Sequence, residues 1–487
     1  MARYVTVKTA HGDLRGVENL GVASFLGIPY GEAARFHAPQ AAAPWTGVRE
    51  ATAFGPAAPQ VDTRLFAGGR MDEVLALMYP RTGTPAEGGP MGEDCLVLNI
   101  WTPTGSEGTR PVMVWFHGGA FLHGTGAEMM FHGDRLAATG DVVVVTVNHR
   151  LGLFGYLPAP EANAGVLDLR LALEWVHDNI AAFGGDPGNV TIFGQSGGAA
   201  KVATLMAMPS AAGLFHKAIM QSGPLTRVGT TDEAADLLDR VRHAAGGPLE
   251  DLSMRELLDV QTSVIYGKPA RLDAGTFAGG LGIGPVLDGS TIPAHPFDPS
   301  PHTHVADVPL LIGSTTHDAA LMLIEAPGYE ELTDADVAEN LERDLGSADL
   351  LAGYRARHPD EPSRLLWSRI ITDLAFRDGS IAIAERKLTQ PAAVYMFEFA
   401  QPTSILHGAL GACHSLDLPY VFNVTDRIPF TGEDMEKRRV AEATSRAWAA
   451  FARTGNPTHD GIPAWPAYTL HSRATMHIGH DWTISGT

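Results

Sequence analysis

The chain is short of cysteine and lysine, and it contains no long apolar run, no Ser/Gly linker, no charge block and no internal repeat. Two cysteines, Cys95 and Cys413, stand far apart and outside any CxxC or Cys/His spacing. That excludes a disulfide framework and a zinc site of the usual ligand pattern. Six lysines are found among 35 basic residues, against 55 acidic ones, for a formal charge of −20. With no dense basic run to track phosphates, a nucleic-acid partner is not expected. Apolar runs such as Val142 to Val147 fall far short of the ~20 residues of a membrane helix. Met1 to Gly16 alternates apolar and polar residues, without the charged stretch, apolar stretch and cleavage site of a secretory signal. The chain therefore reads as soluble, without a membrane partner, and cytoplasmic. The one Lys-Thr pair, Lys8-Thr9, lacks P-loop glycines, and Gly279 to Gly284 is out of GxGxxG register because residue 285 is proline. No nucleotide, metal or other cofactor is implied. His302 and His304, in a Pro/Asp loop without further ligands, are expected in solvent.

What is present is material for a large core: 45% hydrophobic and 18% charged residues, with 54 glycines and 33 prolines to make turns. Length alone suggests about three domains at roughly 150 residues each, but without a linker the whole chain, 1–487, reads as a single domain. Short β-branched runs alternate with helical patterns: Pro111 to Phe116, Val142 to Val147, Val190 to Phe193, Ala218 to Gln221, Leu310 to Ile312 and Val394 to Phe399. This rhythm predicts an α/β fold, a mostly parallel central sheet with helices on both faces. Leu169, Ala172, Leu173, Val176, Ile180 and Phe183 recur at helical spacing before Gly184-Gly185-Asp186-Pro187 stops the helix. Residues 231–265 and 331–390 read as helical insertions between late strands, serving as extra packing or as a cap over a pocket. Residues 61–92, rich in Gly, Pro and Thr, read as a mobile rim loop with little period beyond Val74 to Met78.

The chemistry is carried by small-residue turns. Gly194-Gln195-Ser196-Gly197-Gly198 follows an apolar run and precedes a helix-compatible stretch, the GxSxG context. A serine lifted out of a sharp strand-to-helix turn needs glycine beside it, since a Cβ would collide with neighbouring backbone. The turn also presents Ser196 to the free N–H groups of a helix start, which favour developing negative charge. His117-Gly118-Gly119-Ala120-Phe121 follows the strand ending at Phe116. There Gly118 and Gly119, with the N–H of Gly197, would form an oxyanion hole, each donor contributing about 3 kcal/mol.

A serine nucleophile needs a base and an orienting acid. Asp318 follows the strand-like Leu310 to Gly313, and His407 and His414 both follow Val394 to Phe399. The residues themselves leave His407 and His414 open as base, and Glu325 open as an alternative acid. Cys413, flanked by apolar residues, reads as core. Phe66, Phe121 and Met322 are candidates for pocket lining or for core.

Phe25-Leu26-Gly27-Ile28-Pro29-Tyr30, Glu93-Asp94-Cys95-Leu96, Asn148-His149-Arg150-Leu151-Gly152, Asn179 through Pro187, Gln221-Ser222-Gly223 and Trp465-Pro466 carry a resemblance to the type B carboxylesterase family. These α/β-hydrolases include bacterial para-nitrobenzyl esterases and cholinesterases, and the similarity runs from about Gly12 to Tyr468. The resemblance implies an α/β-hydrolase fold and a serine carboxylesterase with small ester substrates bearing apolar groups. It also implies His414 as the base, because the family histidine sits in a stretch similar to Gly411 to Tyr420. Three departures stand out. Gln195-Ser196-Gly197 replaces the family's Glu-Ser-Ala, removing a negative charge beside the nucleophile. His317-Asp318-Ala319 replaces a run whose acid is usually glutamate. Secreted relatives pair the cysteine matching Cys95 with one in the preceding loop, but residues 61–92 contain none, in keeping with a reducing compartment.

Overall fold

The computed structural model describes residues 3–61, 69–80, 91–105, 108–266 and 282–486. Its first strands are β1 (Arg3–Lys8), β2 (Asp13–Asn19), β3 (Val22–Pro29), the short pair β4 (Gly31–Glu32) and β5 (Gln40–Ala41), and β6 (Val48–Glu50). The middle of the chain supplies β7 (Val97–Pro103), β8 (Arg110–Phe116), β9 (Val143–Val147), β10 (Gly185–Gln195) and β11 (Lys217–Gln221). The last strands are β12 (Leu310–Thr315), β13 (Val394–Phe399), β14 (Thr475–Ile478) and β15 (Thr483–Ser485). The main sheet has the order β1-β2-β3-β7-β9-β8-β10-β11-β12-β13-β14-β15, with β6 beside β2. Pairing is parallel throughout from β9 to β14. At the amino-terminal side, β1, β2, β3, β7 and β9 pair antiparallel in succession. The parallel core matches the sequence expectation, and the antiparallel margin extends it.

The central strands are apolar on both sides because both sheet faces are covered. The pleat of β8 sends Val112, Val114 and Phe116 into one core and Met113 and Trp115 into the other. In β13, Val394 and Met396 join the first core while Tyr395, Phe397 and Phe399 join the second. The helix Ala164–Asn179 buries Leu169, Ala172, Leu173 and Val176, then tightens into a 3-10 turn, Ile180–Phe183. Gly184, at φ +78°, ends it.

Between β11 and β12 stand the helices Thr231–Ala245 and Met254–Gln261, and between β12 and β13 stand Asp334–Leu345, Leu350–Arg357, Ser363–Thr372 and Asp378–Lys387. Local sequence starts them where they start: Thr230 with Glu233, Ser253 with Glu256 and Thr333 with Asp336 form reciprocal caps over the first N–H groups. Leu237, Val241, Leu257, Leu341, Trp367 and Ile370 anchor them in the cores. The first of these helices, Thr231–Ala245, also walls a cavity of about 430 Å³ bordered by Tyr156, Leu225, Leu237 and Ile283.

Residues 62–68 and 81–90 of the expected rim loop, with Phe66, lie outside the described residues, as do Gly279 and Gly280. The stretch between them is more regular than its composition suggests. Arg70–Met78 is a helix with Val74 and Met78 buried four residues apart, and the Glu325 carboxylate accepts the N–H of Met71 at its start. Cys95 and Cys413 are both free and buried. Among the described residues no helix is long and apolar enough to cross a membrane. His302 and His304 are half-buried rather than in solvent. The loop folds back on itself, and His302 Nε2 lies 3.0 Å from the His295 carbonyl oxygen.

One ion pair pins the segment after β9 to the sheet cover. Asp168 Oδ2 accepts the Arg150 main-chain N–H at 3.0 Å and Nε–H at 2.9 Å, Oδ1 accepts from Nη2 at 2.6 Å, and Arg150 Nη1 reaches the His37 carbonyl at 2.7 Å. Both side chains are buried, so removing one partner strands the other. Asp168→Ala is expected to lower stability by about 3–5 kcal/mol, read by urea unfolding; a loss below about 1 kcal/mol would show the pair to be peripheral.

Candidate active site

The carboxyl ends of β8, β10, β11, β12 and β13 lie along one edge of the sheet, where an open α/β fold places its ligands. At the end of β10 the chain turns directly into the helix Gly197–Met206. Ser196 occupies the turn with φ +57° and ψ −126°, a strained conformation for a residue with a side chain, costing on the order of 1–3 kcal/mol. It is held by its own N–H donating to the Gln221 carbonyl at 2.8 Å and by the Ala200 N–H donating to its carbonyl at 3.1 Å. A Cβ on Gly197 would stand 2.2 Å from the Ala120 carbonyl oxygen, so only glycine lets the loop after β8 close against the turn. On Gly118 a Cβ would come within 3.1 Å of the Gln195 carbonyl oxygen and 3.5 Å of Ser196 Cβ. Thus Gly118, Ala120 and Gly197 surround the serine, while Gly119, at φ +81°, makes the tight turn between them.

Asp318 follows β12 and is wholly buried. Its carboxylate accepts three hydrogen bonds: from His414 Nδ1 at 2.7 Å, from Ser222 Oγ at 2.9 Å and from the Thr315 N–H at 2.9 Å. The proton on Nδ1 follows from the acceptor it faces, which leaves Nε2 as the basic nitrogen. His414, not His407, is therefore the histidine that meets Asp318. Glu325 is exposed and caps the helix Arg70–Met78 instead. Gln195, the neighbour of Ser196, lies with its amide nitrogen 3.1 Å from His414 Nε2 and 3.4 Å from Nδ1. Near-equal distances put the amide beside the ring rather than along the Nε2 lone pair. The position occupied by a negative charge in the resembled family is thus filled by a neutral carboxamide against the imidazole.

Around this centre are residues to which the sequence reading assigned no role. Gln221 Nε2 donates to Asp417 Oδ2 at 2.6 Å, and Gln221 Oε1 accepts from Trp448 Nε1 at 3.0 Å. Burial pushes the Asp417 carboxyl up to about 7. His317 ties the acid loop to the histidine loop: its N–H donates to the Ala412 carbonyl at 2.9 Å, and its Nδ1 accepts the Ala412 N–H at 3.2 Å. Its Nε2–H donates to Glu361 at 2.9 Å. Burial alone would raise the Glu361 carboxyl, but hydrogen bonds from Arg369 and His317 hold it down at about 2. Gln221, His317, Ala412 and Asp417 stand in stretches compared with the family, whereas Trp448, Glu361 and Arg369 stand in none. Phe121 is core, packed on Tyr156 at 4.9 Å between ring centres. Met322 is half-buried, and Cys413 is core as expected.

A family model described as the carboxylesterase family matches residues 3–485. The chain belongs to the carboxylesterase family. It is 35% identical over 489 residues to the phenmedipham hydrolase of Pseudarthrobacter oxydans, spanning 97% of this chain and 94% of that protein. To the para-nitrobenzyl esterase of Bacillus subtilis (strain 168) it is 34% identical over 500 residues, 98% of this chain and 95% of that one. The solved carboxylesterase of Geobacillus stearothermophilus superposes with a TM-score of 0.80 at 34% identity, covering 99% of this chain and 97% of the other. The fold is accordingly that of the α/β-hydrolases, and the carboxylesterase class is that of carboxylic ester hydrolases.

Three histidines of this carboxylesterase are kept neutral by burial. His117, His149 and His317 all have their pKa values lowered, desolvation being the main cause in each case. In the unfolded chain they titrate near 6.5. Below about pH 6.5 the unfolded state therefore binds more protons than the folded state, so stability falls with pH until the folded values are passed. Urea unfolding is expected to give lower stability at pH 5.5 than at pH 7.5, and His149→Phe is expected to flatten part of that slope. A His149→Phe slope identical to wild type would contradict this account.

Proposed function

We propose that Ser196, His414 and Asp318 act as a catalytic triad that hydrolyses carboxylic esters through an acyl-enzyme. His414 Nε2 takes the Ser196 hydroxyl proton as Oγ bonds to the ester carbonyl carbon. Asp318 fixes the tautomer and stabilises the imidazolium without taking the proton. The carbonyl oxygen, now an alkoxide, is met by main-chain N–H groups of Gly118, Gly119 and Gly197. His414 then returns its proton to the leaving alkoxide, the C–O bond breaks, and alcohol departs. Water repeats the cycle on the acyl-enzyme, releasing the carboxylic acid and restoring Ser196. The reading rests above all on the 2.7 Å contact between a wholly buried Asp318 and His414, one residue's reach from the strained serine turn.

The substrates in this reading are small esters with apolar groups, in keeping with membership of the carboxylesterase family. Free Cys95 and Cys413 accord with a reducing, cytoplasmic setting. An amidase, carbamate hydrolase or acyltransferase would use the same acyl-enzyme, and a non-catalytic adhesion module would have no use for the assembled groups.

Ser196→Ala and His414→Gln are each expected to lower kcat for a p-nitrophenyl ester by about 10⁴- to 10⁶-fold. Ser196→Ala is also expected to abolish labelling by an organophosphate. Labelling at the wild-type rate would move the nucleophile elsewhere. Products from an ester, an anilide and an ester with added alcohol then separate esterase from amidase and acyltransferase.

A further inference from the structure

We infer that Lys201 is a positioning residue of the oxyanion loop, holding the main-chain carbonyls of His117 and Ala120 so that the neighbouring N–H groups face the reacting oxygen. The inference rests on the reading of Gly118, Gly119 and Gly197 as oxyanion donors.

Lys201 sits in the helix Gly197–Met206, one turn beyond Ser196, and is wholly buried. Its Nζ donates to His117 O at 2.9 Å and to Ala120 O at 2.9 Å, and lies 5.5 Å from the centre of the Phe121 ring. In a planar trans peptide the C=O of one residue and the N–H of the next point in opposite directions. Each carbonyl fixed on the inner side therefore aims the following N–H outward. Lys201 does this for the N–H groups of Gly118 and Phe121. The intervening peptides are fixed by the same logic: Gly118 O lies 2.9 Å from His117 Nδ1, and Gly119 O accepts the N–H groups of Leu122 and His123 at 3.1 and 3.0 Å. Because a carbonyl can only accept, His117 carries its proton on Nδ1.

Burying this amine is costly, and desolvation lowers its pKa to about 7. Among the described residues no carboxylate ion-pairs with it. The nearby titratable groups are His117 and His149, both influenced by it and both kept neutral. Charged or neutral, the amine has at least two N–H bonds, which suffice for its two acceptors. Lys387 offers an internal contrast. It too is buried and grips loop carbonyls, those of Val305 at 2.8 Å and Ala306 at 3.2 Å, but far from Ser196 in the fold.

The test compares Lys201→Met with Lys387→Met, using p-nitrophenyl acetate turnover and the affinity of a trifluoromethyl ketone, which forms an oxyanion adduct with the serine. Lys201→Met is expected to lower kcat by about 10- to 100-fold with KM within about threefold, and to weaken ketone binding by a similar factor. Lys387→Met is expected to lower Tm while leaving kcat and ketone affinity unchanged. A folded Lys201→Met with wild-type kcat and ketone affinity overturns the inference. Lys201→Gln, which keeps one N–H donor group, is expected between wild type and Met. Should neither variant fold, the wild-type enzyme decides through its few lysine ¹⁵Nζ resonances. The Lys201 signal is expected to move on ketone binding and the Lys387 signal to stay, and an unmoved Lys201 signal overturns the inference. Ser196→Ala run alongside separates the two failures. Activity retained there sinks the triad reading, whereas an inert Ser196→Ala beside a normal Lys201→Met sinks only the role of Lys201.

Discussion

A carboxylate removed from water has to be met by donors, and Asp318 meets that demand with groups from three parts of the sheet edge. Thr315 gives an N–H from its own strand end, Ser222 gives a hydroxyl from the end of β11, and His414 gives Nδ1–H from the loop after β13. Losing any one would leave a buried anion partly unsatisfied, which costs several times the net value of an ordinary hydrogen bond. The carboxylate thus does more than orient an imidazole. It fixes the relative positions of three strand ends, and with them the turn at Ser196, whose N–H is tied to the Gln221 carbonyl next to Ser222.

The departures from the resembled family fall into place around that constraint. Aspartate is a methylene shorter than glutamate, so the histidine loop must come closer to the acid loop for the contact to form. His317 supplies the tie, exchanging two hydrogen bonds with Ala412 and passing its remaining proton toward Glu361. A histidine can do this only while neutral, since Nδ1 must accept, and its burial enforces that state. On the serine side, Gln195 replaces a carboxylate with a group that adds no charge. The imidazole consequently has one ionised partner at close range, Asp318, while the neighbouring Asp417 carboxyl is pushed up to about 7 by its own burial.

Much of this was legible in the sequence, and the illegible part has a physical reason. The central strands could be read because parallel strands covered on both faces are continuous apolar runs. The helices could be read because apolar residues recur in them at helical spacing, as Leu169, Ala172, Leu173 and Val176 do. Ser196 and the double glycine were legible because sharp turns restrict composition so severely. His414 over His407 was legible only through the family resemblance, since both follow the same strand and the residues alone do not say which one reaches Asp318. The helix Arg70–Met78 was hidden by a Gly- and Pro-rich setting, its stabilisation coming from distant Glu325. Lys201 left no local signal at all, and His317 and Asp417 stood out only as members of stretches compared with the family. Lys201 acts on carbonyls 81 and 84 residues away in sequence, Asp417 on a partner 196 away and His317 on partners 44 and 95 away, and a buried lysine in a helix has the same spacing as any core residue.

The arrangement of these silent residues matches the charge that the proposed cycle would create. Attack on the carbonyl separates charge, making a cation at His414 and an anion at the former carbonyl oxygen. The cation would form against Asp318, with Asp417 near it. The anion would form on the opposite side of Ser196, before a loop whose carbonyls are drawn away by Lys201 and His117 and whose N–H groups point forward. Water would have to reorient to stabilise such a dipole, whereas peptide groups already held by Lys201, Leu122 and His123 would not, and in the proposed cycle that saving would lower the barrier. In this view the buried amine, costly as it is for the folded state, belongs to the same design as the buried carboxylate. One end of the site is organised by an anion that gathers donors, and the other by a donor that gathers carbonyls.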